Sequence, residues 1–382
     1  MQTASKTQHP QTESIANASL RILHVLNDVR QLGNGIINAA IDIACGQAQA
    51  GHTVAIASAG GEYEDLLERF GISHYKLDQK RRPVSLFRAA KRFQDIVKEF
   101  RPDIVHCHMM TGILLARFLR GSANYRLVAH IQNVHQRSSV LMGLAERVIP
   151  VSDAVAEYMS RLGVPKNKMR VVRNLTLGSP RLPSLDSCTP APLQQPAIVT
   201  VAGMFKRKGI AELISAFAQV AKRFPTAHLY LVGDGDDRAN FETQAAASSV
   251  ASQIHFEGFQ SNPKPYLLAA EVFVLASHRD SCPLVISEAR AAGCAIVASN
   301  ADGIPEQLDY GKSGILVPPG DVPALANAIE SILASSAERD KWKQAAQQNL
   351  ERFSVANMVE EISAVYDELL GDGKTAQKVS LM

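Results

Sequence analysis

Three short segments of this 382-residue chain carry residue types and spacings able to bind a charged group. The first is Gly203-Met204-Phe205-Lys206-Arg207-Lys208-Gly209, which follows the apolar run AIVTVAG and opens a helical pattern. A helix N-terminus already favours anions through its free N–H groups and dipole, and adding Lys and Arg there makes a site for a diphosphate. Three cations at the carboxyl end of a strand are expected to face one cleft. The second segment runs from Asp280 to Glu288 (DSCPLVISE) after the apolar run VFVLAS. Carboxylates accept hydrogen bonds from hydroxyls and repel anions, so this pair beside a diphosphate site suits ribose or hexose hydroxyls. Leu284 and Val285 offer backbone N–H groups at the helix start, whereas Pro283 has none. Glu288 sits among Ile286, Ala289, Ala291 and Ala292, a setting that argues against a merely solvated face. The third segment is Gly33-Asn34-Gly35 between the first strand and its helix. A dinucleotide fingerprint needs a third glycine where Asn38 stands, so this reads either as a tight strand-to-helix turn or as a backbone loop that lets a ligand approach closely.

Other candidates are weaker. His106 and His108 are two apart on a strand and share a face, but with no third ligand in view no metal is expected. His108, at a strand end, is a candidate for an acceptor site. His130 reads equally as a core histidine or a site residue. Residues 76–101 hold nine Lys/Arg against three Asp/Glu, including Lys80, Arg81, Arg82, Arg88, Lys91 and Arg92. That stretch reads as a solvated helix face or as a contact for an anionic membrane surface. Phe87 and Phe93 fit a core stripe rather than the stacking surface of a nucleic-acid protein. Cys45, Cys107, Cys188, Cys282 and Cys294 form no CxxC pair, which argues against a disulfide framework or a structural zinc site and suits a reducing cytoplasm.

The elements that must position these residues alternate along the chain. Apolar residues make up 46% and the formal net charge is +3, which excludes a strongly basic nucleic-acid coat. No apolar run approaches a membrane span, and the polar start lacks the apolar stretch of a signal peptide. Strands RILHVLN, TVAIAS, HYKLD, IVHCH, LVAHIQ, RVIPVS and MRVVRN alternate with helical patterns, of which residues 84–100 are clearly amphipathic. Residues 178–196 then hold five prolines and no periodicity, a linker composition. Alternation restarts with AIVTVAG, HLYLVGD, VFVLAS, AIVASN and GILVP, with helices expected over 210–224, 283–293, 321–335, 338–350 and 355–370. This predicts an α/β chain of two doubly wound, Rossmann-like domains facing each other across a cleft. The expected boundaries are a disordered leader over 1–19, one domain over 20–177, the linker, a second domain over 197–352, a helix over 353–372 crossing back to the first domain, and a flexible tail over 373–382.

Taken together, the segments resemble the retaining family-4 glycosyltransferases of GT-B architecture. The resemblance rests on Asp280, seven intervening residues, Glu288-Ala289 and Ala291-Ala292-Gly293. It is extended by Val232-Gly233-Asp234-Gly235, Phe256-Glu257-Gly258-Phe259, Gly303-Ile304-Pro305-Glu306 and Gly314 to Asp321. It implies that Lys208, with Arg207 or Lys206, binds the diphosphate of a nucleotide-sugar donor. Glu288 would take the ribose, and Gly258-Phe259 would lie against the base. Gly203, Asp280 and the backbone of Cys282, Leu284 and Val285 would hold the distal phosphate and the sugar. Gly33, Asn34, Gly35, His108 and His130 would line the acceptor side, the acceptor being a saccharide or lipid-linked saccharide. No cofactor or metal is implied. The chain departs from the family pattern in having Asp at 280 where Glu is usual, Gln132 where a His is usual, Asn174-Leu175 for Asn-Gly, and one residue fewer between Gly203 and Lys208. The implied activity is sugar transfer in bacterial lipopolysaccharide or surface polysaccharide synthesis, by an enzyme that is cytoplasmic or peripheral on the membrane. One alternative is a nucleotide-sugar-binding protein without turnover, suggested by Asp280 and by Gln132, which cannot carry a proton as His can; the other is a different enzyme of the same architecture, such as a nucleotide-sugar epimerase.

Overall fold

The computed structural model describes residues 19–79, 83–133 and 137–379. The expected leader ahead of Ser19, the cations Lys80, Arg81 and Arg82, and the last three residues lie outside the described residues. The first half builds a six-stranded parallel sheet from β1 (Arg21–Val25), β2 (Thr53–Ser58), β3 (Ser73–Lys76), β4 (Ile104–Cys107), β5 (Arg126–Ile131) and β6 (Arg147–Pro150). The second half builds another from β7 (Ala197–Val201), β8 (His228–Val232), β9 (Ile254–Gly258), β10 (Val272–Leu275), β11 (Ala295–Ser299) and β12 (Ile315–Val317). Their orders are β3-β2-β1-β4-β5-β6 and β12-β11-β10-β7-β8-β9. In each sheet the first strand therefore lies beside the fourth, and the connections leave it in opposite directions. That opens a crevice beyond the strands' carboxyl ends, where such sheets bind ligands.

The strands read as continuous apolar runs because both faces are covered. In β1, Leu23 and Val25 face the helix Pro83–Phe100 through Phe93, Ile96, Val97 and Phe100. Ile22, on the opposite face, meets the long helix Val355–Val379 through Met358, Val359, Ile362, Val365 and Leu369. That helix follows the second sheet in sequence, yet it packs on the first. Glu368 fastens it there by ion pairs to Arg147 (3.1 Å) and Arg170.

Three expectations are corrected. MRVVRN is not a strand: Met169 makes an isolated bridge to Val148, and Val172 donates to the Pro150 carbonyl, but Pro150 has no N–H to return the bond. Phe87 is not in the core stripe; it is 76% exposed, whereas Phe93 is fully buried. The helix expected over 338–350 spans Ser336–Ala346, started by the Ser335 hydroxyl accepting from the Glu338 N–H.

Candidate active cleft

The two sheets present their carboxyl ends to a cleft of about 580 Å³. Gly33, Asn34, Gly35, Gln132 and Asn174 line it from the first half, and Gly203, Arg207, Lys208, Phe259, Asp280, Cys282, Leu284, Val285 and Glu288 from the second. Sequence reasoning placed most of these in a site, and the topology explains their meeting: the loops after β1, β7 and β10 all lie at the switch points.

After β7 the chain makes one turn of 3₁₀ helix, Lys206–Lys208. Gly209 follows at φ +67°, where a Cβ would lie 1.9 Å from the Ala276 carbonyl oxygen, so only glycine fits against the end of β10. With three residues per turn, consecutive side chains point about 120° apart. Lys208 turns into the cleft and ion-pairs with Asp280. Lys206 does not face the cleft as expected; it lines a separate depression with Glu212 and Gln244, and Arg207 borders both.

The helix Leu284–Ala291 starts after Pro283, whose carbonyl accepts from Ile286 at 3.2 Å. Leu284 and Val285, at the helix start, line the cleft, and Glu288 follows one turn later with 9% of its surface exposed. Burial raises the Glu288 carboxyl above its ordinary pKa, opposed by the charges of Arg181 and Lys264. Arg290 anchors this helix from behind. Its buried guanidinium donates to the carbonyls of Ala346 (2.8 Å) and Gln307 (2.6 Å) and to the Ser313 hydroxyl (3.1 Å). The Asp280 carboxylate is engaged by Lys208, and no side chain caps the start of the helix, which follows Pro283. Burial pushes the Cys282 thiol up to about 12, which leaves it an unreactive lining group.

Sequence reasoning missed one strong feature. Arg181, in the proline-rich segment, lines the cleft and grips the fully buried Asp42 through two bonds of 2.8 and 2.7 Å. The signal was present: Asp42 stands between Ile41 and Ile43 in an apolar helix, where an acid needs a partner. On the other side of the cleft, Glu306 accepts from Arg173 (2.8 Å) and from the Ala154 N–H (3.3 Å), tying the second half to the first.

Other expected residues fall elsewhere. Gly258 is outside the lining and turns the chain at φ +69° so that Phe259 reaches the cleft. There Phe259 meets Gly33, itself at φ +64°; a Cβ on Gly33 would stand 3.2 Å from the Phe259 ring. His108 and His130 do not line the acceptor side. They are 3% and 0% exposed, on the face of the first sheet beneath the helix Val355–Val379. The two-residue period that puts Ile104 on that face also puts His106 there, with His108 one step beyond. A third histidine does join His106 and His108: His24 on β1, paired in register with His106, has a ring nitrogen within 4.8 Å of theirs.

The halves of the chain match two family models. Residues 33–175 match Glycosyltransferase Family 4, and residues 187–349 match Glycosyl transferases group 1. The chain belongs to the family-4 glycosyltransferases, with the GT-B fold of two facing α/β domains. It is 33% identical over 49% of its length to the lipopolysaccharide core biosynthesis glycosyltransferase LpsE of Rhizobium meliloti, a match spanning 54% of that relative. It is 25% identical over 74% of its length to LpsD of the same organism, spanning 80% of it. Among solved structures, HepE of Anabaena in complex with UDP-glucose aligns over 91% of this chain and 100% of its own, at 19% identity and a TM-score of 0.79.

Proposed function

We propose that the protein is a retaining glycosyltransferase that moves a sugar from a nucleoside diphosphate onto an acceptor hydroxyl in lipopolysaccharide or related polysaccharide assembly. One observation carries the reading: a cation, Lys208, and two carboxylates, Asp280 and Glu288, converge in a cleft closed by both halves. The relatives' role in lipopolysaccharide core synthesis supports the pathway class.

In this reading the bond from the anomeric carbon to the diphosphate oxygen breaks, and one to the acceptor oxygen forms on the same face. Lys208, Arg207 and the N–H groups of Leu284 and Val285 receive the charge that develops on the departing diphosphate, stabilisation set in place before the reaction. The acceptor's proton goes to the departing phosphate oxygen. Lys208 and Arg207 supply the positive charge that a divalent ion supplies in other transferases, so no metal or cofactor enters. Glu288 takes the pentose hydroxyls, and Gln132 the sugar. Closure of the halves excludes water that would hydrolyse the donor.

The acceptor is a saccharide or lipid-linked saccharide, and the reaction runs in the cytoplasm or at its membrane surface. Exposed Phe87 beside Arg88, Lys91 and Arg92, and exposed Phe118 beside Arg117, fit contact with an anionic membrane. Among the described residues no helix is long and apolar enough to cross a membrane.

The test is incubation with radiolabelled UDP-, GDP- and ADP-sugars, a lipopolysaccharide-core acceptor panel and EDTA. A product whose new linkage keeps the donor's anomeric configuration supports the reading. Donor retained without transfer points to a binding protein, and an altered free nucleotide-sugar to an epimerase.

A further inference from the structure

The first sheet buries a hydrogen-bonded chain of side chains that begins at the cleft. Asn174 Nδ2 donates to Gln132 Oε1 at 2.8 Å, and Gln132 Nε2 lies 3.2 Å from His108 Nδ1. His108 Nε2 lies 3.0 Å from His24 Nδ1, and His24 Nε2 lies 2.8 Å from Gln47 Oε1. Gln47 Nε2 donates to the Tyr366 hydroxyl at 3.2 Å, and that hydroxyl meets His106 Nδ1. All of these side chains except Gln132, which is 8% exposed, are at most 3% exposed.

The directions in this chain determine one another. An amide nitrogen only donates and an amide oxygen only accepts, while a neutral imidazole donates at one nitrogen and accepts at the other. Because Gln47 gives its N–H to Tyr366, its oxygen faces His24, so His24 carries its proton on Nε2. His24 Nδ1 must then accept, so His108 carries its proton on Nε2 as well. His108 Nδ1 accepts in turn, and the group facing it must be the Gln132 N–H. At the other end Asn174 Nδ2 meets the Gln132 oxygen in the same sense, but Asn174 Oδ1 has no partner among the described residues, so the direction is set from the Tyr366 end. Burial keeps the rings neutral, as the lowered pKa of His24, to about 4, indicates.

We propose that His108 is a positioning residue. Its tautomer, set by a one-way relay from Tyr366 on the C-terminal helix through Gln47 and His24, fixes which end of the Gln132 amide meets a ligand in the cleft. A hydroxyl entering there finds the amide with its donor end at His108 and its acceptor end at Asn174, and the two cannot exchange without reversing every bond behind them. That the ligand is a sugar rests on the transferase reading; the relay itself does not. The relay also accounts for the tri-histidine geometry without a metal, since His24 Nδ1 and His108 Nε2 are satisfied by each other. His106 Nε2 is left with no partner among the described residues.

The test is two-bond ¹H–¹⁵N correlation of the full-length protein labelled at histidine, without nucleotide, with metal content measured on the same sample. Expected in the wild type are Nε2–H tautomers at His24 and His108 and no stoichiometric metal. In Gln132→Glu an ionised carboxylate cannot donate and supplies the counter-charge that the buried ring otherwise lacks, so His108 Nδ1 gains a proton. In Tyr366→Phe, Gln47 loses its acceptor and His24 becomes a mixture of tautomers. A wild-type Nδ1–H tautomer at either ring, one equivalent of bound metal, a His108 signature unchanged in Gln132→Glu, or a His24 signature unchanged in Tyr366→Phe would each overturn the proposal. No outcome depends on donor binding, so failure of the transferase reading shows separately, in the transfer assay.

Discussion

Lys208 and Asp280, 72 residues apart in sequence, form an ion pair in the cleft between the two sheets. The cation that the reading assigns to a diphosphate is thus already engaged by a carboxylate, and a donor must share or displace it. Lys208→Ala removes a charge-assisted bond of about 1.5–3 kcal/mol, so UDP, GDP or ADP affinity by calorimetry is expected to fall roughly 10- to 100-fold. Asp280→Asn frees Lys208 and is expected to tighten the bare nucleotide while lowering turnover. Equal affinity in all three proteins would contradict this division of roles.

Glu288→Gln tests the pentose contact. The helix that carries Glu288 is held from behind by Arg290, so the variant is expected to keep its melting temperature within a few degrees and to lose donor affinity. A grossly unfolded variant would make Glu288 a structural residue.

Arg181→Ala leaves Asp42 charged and buried without its partner, a change that costs about 3–5 kcal/mol. A fall of about 10 °C in melting temperature is expected, and Asp42→Asn combined with Arg181→Met should recover most of it. A melting temperature unchanged in the single variant would mean that the pair contributes nothing.

Gly33→Ala places a methyl on a left-handed residue 3.2 Å from Phe259 and so wedges the halves apart. Nucleotide affinity, which the proposed function places on the second half, should hold within about twofold of wild type, while turnover falls by about tenfold or more, roughly 1.4 kcal/mol of barrier. Loss of both together would place the defect in folding instead.

Burial lowers the pKa of His24 to about 4 and of His130 to about 3, and it holds His106 and His108 well below the ordinary value. The folded values lie below the unfolded one, so unfolding takes up protons. Stability is complete above about pH 6.5 and is lost as pH falls through the window down to about 3–4. Asp42 and Glu288, raised by burial, act in the opposite sense near the acid end. His130, whose ring nitrogens find no partner among the described residues, can be replaced without breaking a bond seen there. His130→Leu should reduce the slope of stability with pH by about one proton, roughly 1.4 kcal/mol per pH unit. Urea midpoints at pH 7 and 5 that shift equally in both proteins would contradict this.

The alternation of apolar runs and helical stripes made both sheets legible, because parallel strands covered on two faces must be apolar throughout. The Lys208, Asp280 and Glu288 segments were legible too, since each follows a strand end at a switch point. What escaped was whatever depends on direction within a turn or on distant pairing. Lys206 points away because a 3₁₀ turn rotates it off the cleft. His108 and His130 are buried because a helix from the far end of the chain covers their face. The partnership of Asp42 with Arg181 joins a helix to a linker with nothing local to announce it.

The most direct measurement is a crystal structure with a nucleoside diphosphate bound, from the panel of UDP, GDP and ADP. The account predicts phosphate oxygens within hydrogen-bond distance of Lys208 Nζ and the Leu284–Val285 amides, with the pentose hydroxyls on Glu288. A nucleotide bound elsewhere, with this cleft empty, would contradict it.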